Sequence, residues 1–370
     1  MIPVEFLLFG ATLAGVAIFH RHTLLVALAG LGAITAYKFW FVDFRGEPGA
    51  LGLLYQLGSE WVILANLFAL LVGFALLSRH FEHSGLPRLL PRLLPDDWKG
   101  GLALLALIFV ISAFLDNIAA AMIGATVAGT VFRGRVHVGY LAAIVAAANA
   151  GGSGSVIGDT TTTMMWLVGI SPRQVLHAYV AAAAAFVVFA IPAARQQHRY
   201  SPIQRDPDPS VQVDGARLAI VIIILLGAVA ANVYANHLPA SRSASFPFIG
   251  ATVLGLLLLL TPWRRPDWSV LPAAIKGSAF LLSLVLSASM MPVDRLPEAS
   301  ALTTFGVGLV SAVFDNIPLT KLALEQGGYD WGVLAYAVGF GGSMIWFGSS
   351  AGVAVSNLFP EAKSVGQWLR

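Results

Sequence analysis

Long apolar runs separated by short polar interruptions set the pattern of the chain. VEFLLFGATLAGVAIF, TLLVALAGLGAITAYKFWFV, WVILANLFALLVGFALL and LAIVIIILLGAVAANVYA approach or reach the roughly 20 apolar residues of a bilayer crossing. The pattern predicts crossings at 3–20, 22–42, 58–79, 137–170, 174–194, 216–236, 246–262, 274–291 and 330–358. Two further apolar stretches fit no single crossing: GLALLALIFVISAFLDNIAAAMIGATVAGTVF at 101–132 and ALTTFGVGLVSAVFDNIPLTKLAL at 301–324. Each holds an Asp-Asn pair near its centre between two short apolar arms. That is the pattern of a re-entrant hairpin, two short helices meeting at a polar tip inside the membrane.

The interruptions repeat. SAFLDNI at 112–118 matches SAVFDNI at 311–317, and GGS at 151–153, followed by Gly158, matches GGS at 341–343, followed by Gly348. The same parts in the same order divide the chain into a first repeat, 1–199, with hairpin 101–132 and broken helix 137–170, and a second, 216–370, with hairpin 301–324 and broken helix 330–358. A polar linker, 200–215, joins them. Five crossings in the first repeat would turn the second upside down. The expected fold class is an all-α polytopic membrane protein of two inverted-topology repeats, each with a re-entrant helical hairpin and a broken transmembrane helix. The second repeat lacks a counterpart of helix 174–194, which places the C-terminus on the cytoplasmic side.

Composition agrees with this reading. Hydrophobic residues make up 57% of the chain and charged residues 11%, against about 25% charged in soluble domains, so most of the exterior must face lipid. With the N-terminus outside, sixteen of the 22 basic residues fall on the cytoplasmic side, among them Arg21, Arg88, Arg92, Arg205 and Arg370. The other six, Lys38, Arg45, Arg173, Arg242, Arg295 and Lys321, fall within or beyond the membrane. This satisfies the positive-inside rule and accounts for the net charge of +3. MIPVEFLLFG has no basic region before its apolar run, so it is read as a first membrane helix and not a signal peptide. The absence of cysteine excludes disulfides and thiolate metal sites. No basic cluster with aromatic partners suggests nucleic-acid binding, and no nucleophile–base pair suggests an enzyme.

The chemistry concentrates in the interruptions. NAGGSGSVIGDTTTTMMW, 149–166, abandons helix-forming residues in mid-membrane, and glycine there lets the backbone unwind. Freed carbonyls, with Asn, Ser and Thr oxygens, would make a site for a hard cation. Asp116, Asp159 and Asp315 are interior acids, which are costly in a membrane and functional candidates by default. Helix capping is the alternative role for each. Asp159 corresponds to Ser349 in the second repeat, and an acid in one repeat alone suits proton coupling. Glu60 is expected at the interface, Lys38 to snorkel, and Lys321 to pair locally with Glu325 at i, i+4. Trp166, Trp331, Trp346 and Trp368 are expected at interfaces or in helix packing.

SAFLDNIAAAM, NAGGSGSVIGDTTTTMMW, SAVFDNIPLT and GFGGSMIWFGSSAGVA resemble the NhaD-type sodium/proton antiporters of the ion transporter superfamily. The resemblance covers roughly 100–170 and 300–356, and it implies a homodimer in the plasma (inner) membrane with a scaffold and a mobile transport domain that carries its ion by an elevator movement. It further implies Na+ or Li+ and H+ as transported ions, with no cofactor. Asp116, Asn117, Asn149 and the break Gly151, Gly152, Ser153, Ser155 would form one half-site, with Asp159, Thr160 and Thr161 beside it. Asp315, Asn316, Gly341, Gly342 and Ser343 would form the other, and Na+ would meet Asp116, Asn117, Asp159, Asp315 and Asn316. The break reads SGSV where the family carries a bulkier, Pro-containing segment. The alternative is an anion transporter of the same superfamily, carrying a carboxylate or an arsenite-like oxyanion, against which three interior acids argue.

Overall fold

The computed structural model describes residues 2–19, 22–44, 46–86, 89, 94–204, 212–238, 242 and 245–368. Residues 205–211 of the linker, and Arg21, Arg45, Arg88, Arg92, Arg205 and Arg370 of the charge pattern, lie outside them. Apart from one isolated bridge between Phe44 and Glu47, the regular secondary structure of the described residues is helical.

The first part comprises α1 (Val4–Ile18), α2 (Thr23–Phe41) and the long α3 (Gly49–His83). Next come α4 (Trp98–Ser112), α5 (Asn117–Val131), α6 (Val138–Gly152), α7 (Thr160–Leu167), the single turn α8 (Pro172–Leu176) and α9 (Ala178–Tyr200). The second part has α10 (Gly215–His237), α11 (Phe248–Leu259), α12 (Leu271–Ser289), α13 (Ala301–Ser311), α14 (Asn316–Gln326), α15 (Trp331–Gly341), α16 (Ser350–Leu358) and α17 (Val365–Trp368). Among the described residues five helical segments are long and apolar enough to cross a bilayer: Thr23–Phe41, Gly49–His83, Pro172–Tyr200, Gly215–Ala235 and Trp268–Ser289. Their outer faces expose large apolar side chains such as Trp40, Phe41, Val180 and Leu226, as lipid contact requires.

Helix starts follow local chemistry. Asp97, Asp116, His137, Asp214, Asp315, Asp330 and Ser349 each accept a first-turn backbone N–H of the helix they precede, satisfying donors that the helix itself cannot. α4, α6 and α9 pack together, α5 lies against α6 and α16, and α13 lies against α15. α12 is packed among α2, α3 and α14. The Tyr140 hydroxyl donates to Gly101 O at 2.6 Å inside the first of these groups.

α3 begins nine residues before the apolar run 58–79 and ends four after it. Gln56, Ser59 and Glu60 break the hydrophobic pattern there, yet Gln56 and Glu60 are buried. The structure satisfies them with distant partners: Gln56 Nε2 donates to Ser289 O at 3.2 Å and Ser289 Oγ at 3.0 Å, and Glu60 Oε2 accepts from Lys321 Nζ at 2.9 Å. Glu60 is therefore buried within the protein and paired with Lys321. Lys321 also meets Glu325 at 2.6 Å, so the local pair exists alongside a longer one that spans α3 and α14. Lys38, expected to snorkel, is buried and donates to Met290 O at 3.2 Å.

Candidate functional site

The helix interruptions meet. α4 turns into α5 at Asp116, α13 into α14 at Asp315, α6 unwinds over 153–159 before α7, and α15 unwinds over 342–349 before α16. Ser112 Oγ donates to Ala148 O at 2.5 Å and Ser311 Oγ to Val338 O at 2.7 Å. Each tip is thus tied to the end of the broken helix that follows it. Asn149 joins the two breaks to each other, its Nδ2 lying 3.0 Å from Ser343 Oγ and 3.3 Å from Ser349 Oγ.

Steric contact explains the glycines. A Cβ on Gly151 would meet the Phe109 carbonyl, and one on Gly341 would meet the Gly308 carbonyl. Gly158 and Gly348 face the Ser112 and Ala312 carbonyls in the same way, while Gly152 and Gly342 close on Gly158 O and Gly348 O. None of these six has positive φ. They are glycine because another backbone passes where a side chain would stand, not because the unwound chain needs left-handed torsions.

The carbonyls at the end of α6 are already engaged, contrary to the expectation that unwinding frees them for a ligand. Ala148 O accepts from Ser112, Asn149 O from Ser153 N at 3.1 Å, and Ala150 O from Ser153 Oγ at 2.8 Å. Gly151 O accepts from the Tyr179 hydroxyl at 3.0 Å, and Gly152 O from Ser155 N at 3.0 Å. Ser155 Oγ itself crosses to Ala113 O at 2.5 Å. The threonine run serves the same end: Thr162 Oγ1 donates to Ser155 O at 2.5 Å and Thr163 Oγ1 to Val156 O at 3.0 Å. These bonds lace the loop onto the first turn of α7.

Side-chain oxygens remain. Asp159 is 2% exposed; its carboxylate accepts from Asn117 Nδ2 at 3.1 Å and from the Thr161 hydroxyl. Asn117 Nδ2 also reaches Asn149 Oδ1 at 3.0 Å. Asp116 caps α5 through Ile118 N at 3.2 Å. Asp116, Asp159, Thr160 and Thr163 line one cavity of about 10 Å³ together with Leu67, Leu70, Leu71 and Phe74 of α3. That volume is near what one water-sized sphere requires.

The second half differs. Asp315 caps α14 through Ile317 N at 3.0 Å, and its other oxygen accepts from Ser350 Oγ at 3.3 Å. Asp315, Ser349 and Ser350 border a cavity of about 580 Å³ that runs between α1, α12 and α16. Asn316 Nδ2 is buried with no hydrogen-bond partner. Ser343 sits at the crossover through Asn149, and its carbonyl accepts from Trp368 Nε1 at 2.8 Å. Ser349, Ser350, Tyr179 and Trp368 were not singled out as site residues by sequence. Ser349 had a signal as the position matching Asp159, whereas Tyr179 had none.

No family model matches the chain. It is similar to sodium/proton antiporter 1 of Arabidopsis thaliana, 26% identical over 391 residues that cover 94% of this chain and 66% of that protein. Sodium/proton antiporter 2 of the same plant is 27% identical over 285 residues, covering 66% of each chain. The Na(+)/H(+) antiporter NhaD of Alkalimonas amylolytica is 26% identical over 300 residues, 67% of this chain and 60% of that protein. The chain therefore spans about two thirds or less of the length of these relatives. With its apolar helices, this similarity marks it as an integral membrane protein related to transporters rather than enzymes.

Proposed function

We propose that this protein exchanges Na+, or Li+, for H+ across the membrane by alternating access. The observation that carries the reading is the pair Asp116 and Asp159 lining one cavity of water size with Thr160. Carboxylate and hydroxyl oxygens are the donors a small hard cation prefers. Two carboxylates facing one small space repel each other unless a cation lies between them or one of them holds a proton. Na+ and H+ then compete for the same oxygens, and a site that must release one to take the other performs antiport. The names of the similar proteins agree with this chemistry.

The rest of the reading concerns movement. The paired contacts Ser112–Ala148 and Ser311–Val338, and the paired glycine contacts, support two inverted repeats, 1–199 and 216–370, joined by linker 200–215. In this arrangement α4–α5 and α13–α14 are re-entrant hairpins entering from opposite faces. Hairpins and broken helices form the mobile body and α3 belongs to the scaffold. The chain works as a homodimer in the plasma membrane, with its N-terminus outside.

Proteoliposomes carrying a pH-sensitive dye and an imposed proton gradient test the reading. Na+ or Li+, but not K+, should dissipate the gradient; Asp159→Asn should abolish the response; and the half-saturating Na+ concentration should rise as pH falls. Absence of a response to any cation would overturn antiport and direct the same assay to carboxylates and arsenite.

A further inference from the structure

At each helix break, one aromatic side chain from a later element donates to one break carbonyl. Tyr179, in the first turn of α9, gives its hydroxyl proton to Gly151 O at 3.0 Å, 28 residues back along the chain. Trp368, in α17, gives its indole N–H to Ser343 O at 2.8 Å, 25 residues back. Gly151 and Ser343 belong to the matching GGS triplets, and each donor comes from the segment that follows its own broken helix. The first break is shaped for its donor: a Cβ on Gly154 would come within 2.5 Å of the Tyr179 ring. Phe109, whose carbonyl abuts Gly151, packs against the same ring, tilted, at a centroid distance of 6.0 Å. Trp368 is 5% exposed, so it is not an interfacial marker. It also lines, with Ser343, Phe340 and Met344, a cavity of about 360 Å³ between α6, α9 and α15.

We infer that Tyr179 and Trp368 are positioning residues for the ion pathway, each binding a break carbonyl so that it neither ligates the ion nor draws water to the break. The inference rests on the transport reading above. A carbonyl at the end of a helix has no intrahelical partner, and at this depth it must find a donor or a cation. With Gly151 O and Ser343 O occupied, selection falls to the side-chain oxygens of Asp116, Asp159 and Thr160. Freeing either carbonyl would leave an unpaired acceptor at the break and loosen the loop whose geometry holds Asn149 and Ser343 together, weakening the hold on the ion.

The test uses Tyr179→Phe, Trp368→Phe and Trp368→His in the full-length protein. The two phenylalanine variants keep a ring and lose the donor, whereas histidine keeps a ring N–H. In proteoliposomes the phenylalanine variants should raise the half-saturating Na+ concentration at least threefold with the maximal rate within twofold of the parent. Trp368→His should recover at least half of the Trp368→Phe shift. A packing role alone would lower the maximal rate and yield of all three without this ordering. Amide hydrogen exchange in detergent supplies a readout independent of transport: segments 151–159 and 341–349 should exchange at least threefold faster in their respective phenylalanine variants, with α10 unchanged. An inactive parent would overturn antiport while leaving the exchange result to judge the carbonyl clamps. Unchanged exchange at the breaks, or an unchanged half-saturating concentration in an active protein, would overturn the inference.

Discussion

Replacing Lys321 by methionine should destabilise the protein severely. Lys321 and Glu60 are both buried, with their side chains 3% exposed and their charged atoms 2.9 Å apart; Glu325 approaches the same ammonium at 2.6 Å and is 25% exposed. At an effective dielectric of about 20, the closely buried pair attracts by about 6 kcal/mol. Much of that offsets the cost of taking both charges out of water, so the net value of the pair is small. The single substitution is different, because it removes the attraction and leaves the desolvated carboxylate in place, which costs about 3–5 kcal/mol. Glu60→Gln should cost less, about 1–3 kcal/mol, since Lys321 keeps Glu325 and an amide can still accept. The double variant Lys321→Met/Glu60→Gln should be more stable than the sum of the two effects implies, by at least 1 kcal/mol. Reversible unfolding in mixed micelles of increasing SDS fraction, followed by tryptophan fluorescence, measures all four proteins. A Lys321→Met midpoint within about 0.5 kcal/mol of the parent, or strict additivity in the cycle, would refute the argument that this pair is desolvated and coupled.

The other expectations concern the breaks and one exposed cap. Gly158→Ala and Gly341→Ala drive a Cβ into the Ser112 and Gly308 carbonyls and should cost about 1–3 kcal/mol or more, whereas Gly277→Ala and Gly306→Ala, inside helices and meeting nothing within 4 Å, should not lower the SDS midpoint. Asn149→Ala strips partners from Asn117, Ser343 and Ser349; it should cost about 1–3 kcal/mol per buried group left unpaired and lower gradient dissipation in proteoliposomes. Arg264 at 2.8 Å holds the Asp214 carboxyl below its ordinary range. Because its folded pKa is depressed, its contribution is present above the usual carboxylate value of about 3.9 and lost as pH falls through the folded value. Protection of the amides at the start of α10, taken relative to their intrinsic exchange rate at each pH, should fall in acid, and in Asp214→Asn this pH-dependent loss should vanish.

The helices, the Asp-Asn tips and both interruptions were legible because they rest on local signals: apolar runs, capping residues and glycine clusters. The reason for the glycines was not legible, since glycine serves equally for unusual torsions and for close approach, and only the neighbouring carbonyls decide between them. The fate of the α6 carbonyls was hidden for a related reason. Their donors, Ser112 and Tyr179, lie 36 and 28 residues away, and a hydroxyl carries no mark of the carbonyl it will meet. The burial and pairing of Glu60 were not legible either, because its partner Lys321 lies 261 residues distant in the chain.

The distribution of polar and apolar contacts also bears on how such a molecule could move. The helix pairs α4–α5 and α13–α14 and the two breaks are woven together by hydrogen bonds: Ser112 and Ser155 tie the first tip to the first break, Ser311 ties the second pair, and Asn149 joins the breaks. Sliding the first tip past the first break would break the Ser112 and Ser155 bonds together, and parting the two breaks would strip Asn149 of Ser343 and Ser349, so in the proposed movement these segments travel as one body. Against α3 the contact has another character, for at the small cavity α3 offers Leu67, Leu70, Leu71 and Phe74. Apolar surfaces in a membrane exchange partners at little cost, because lipid tails are as apolar as leucine. A plane of slip between α3 and the woven body, as the proposed elevator movement needs, would therefore run along this face. Glu60 and Lys321 tie α3 to α14 across the boundary with a buried ionic bond. If the woven body moves past α3, that bond must open in each cycle, and Lys321→Met would then weaken the fold and the hold on one conformation by the same stroke.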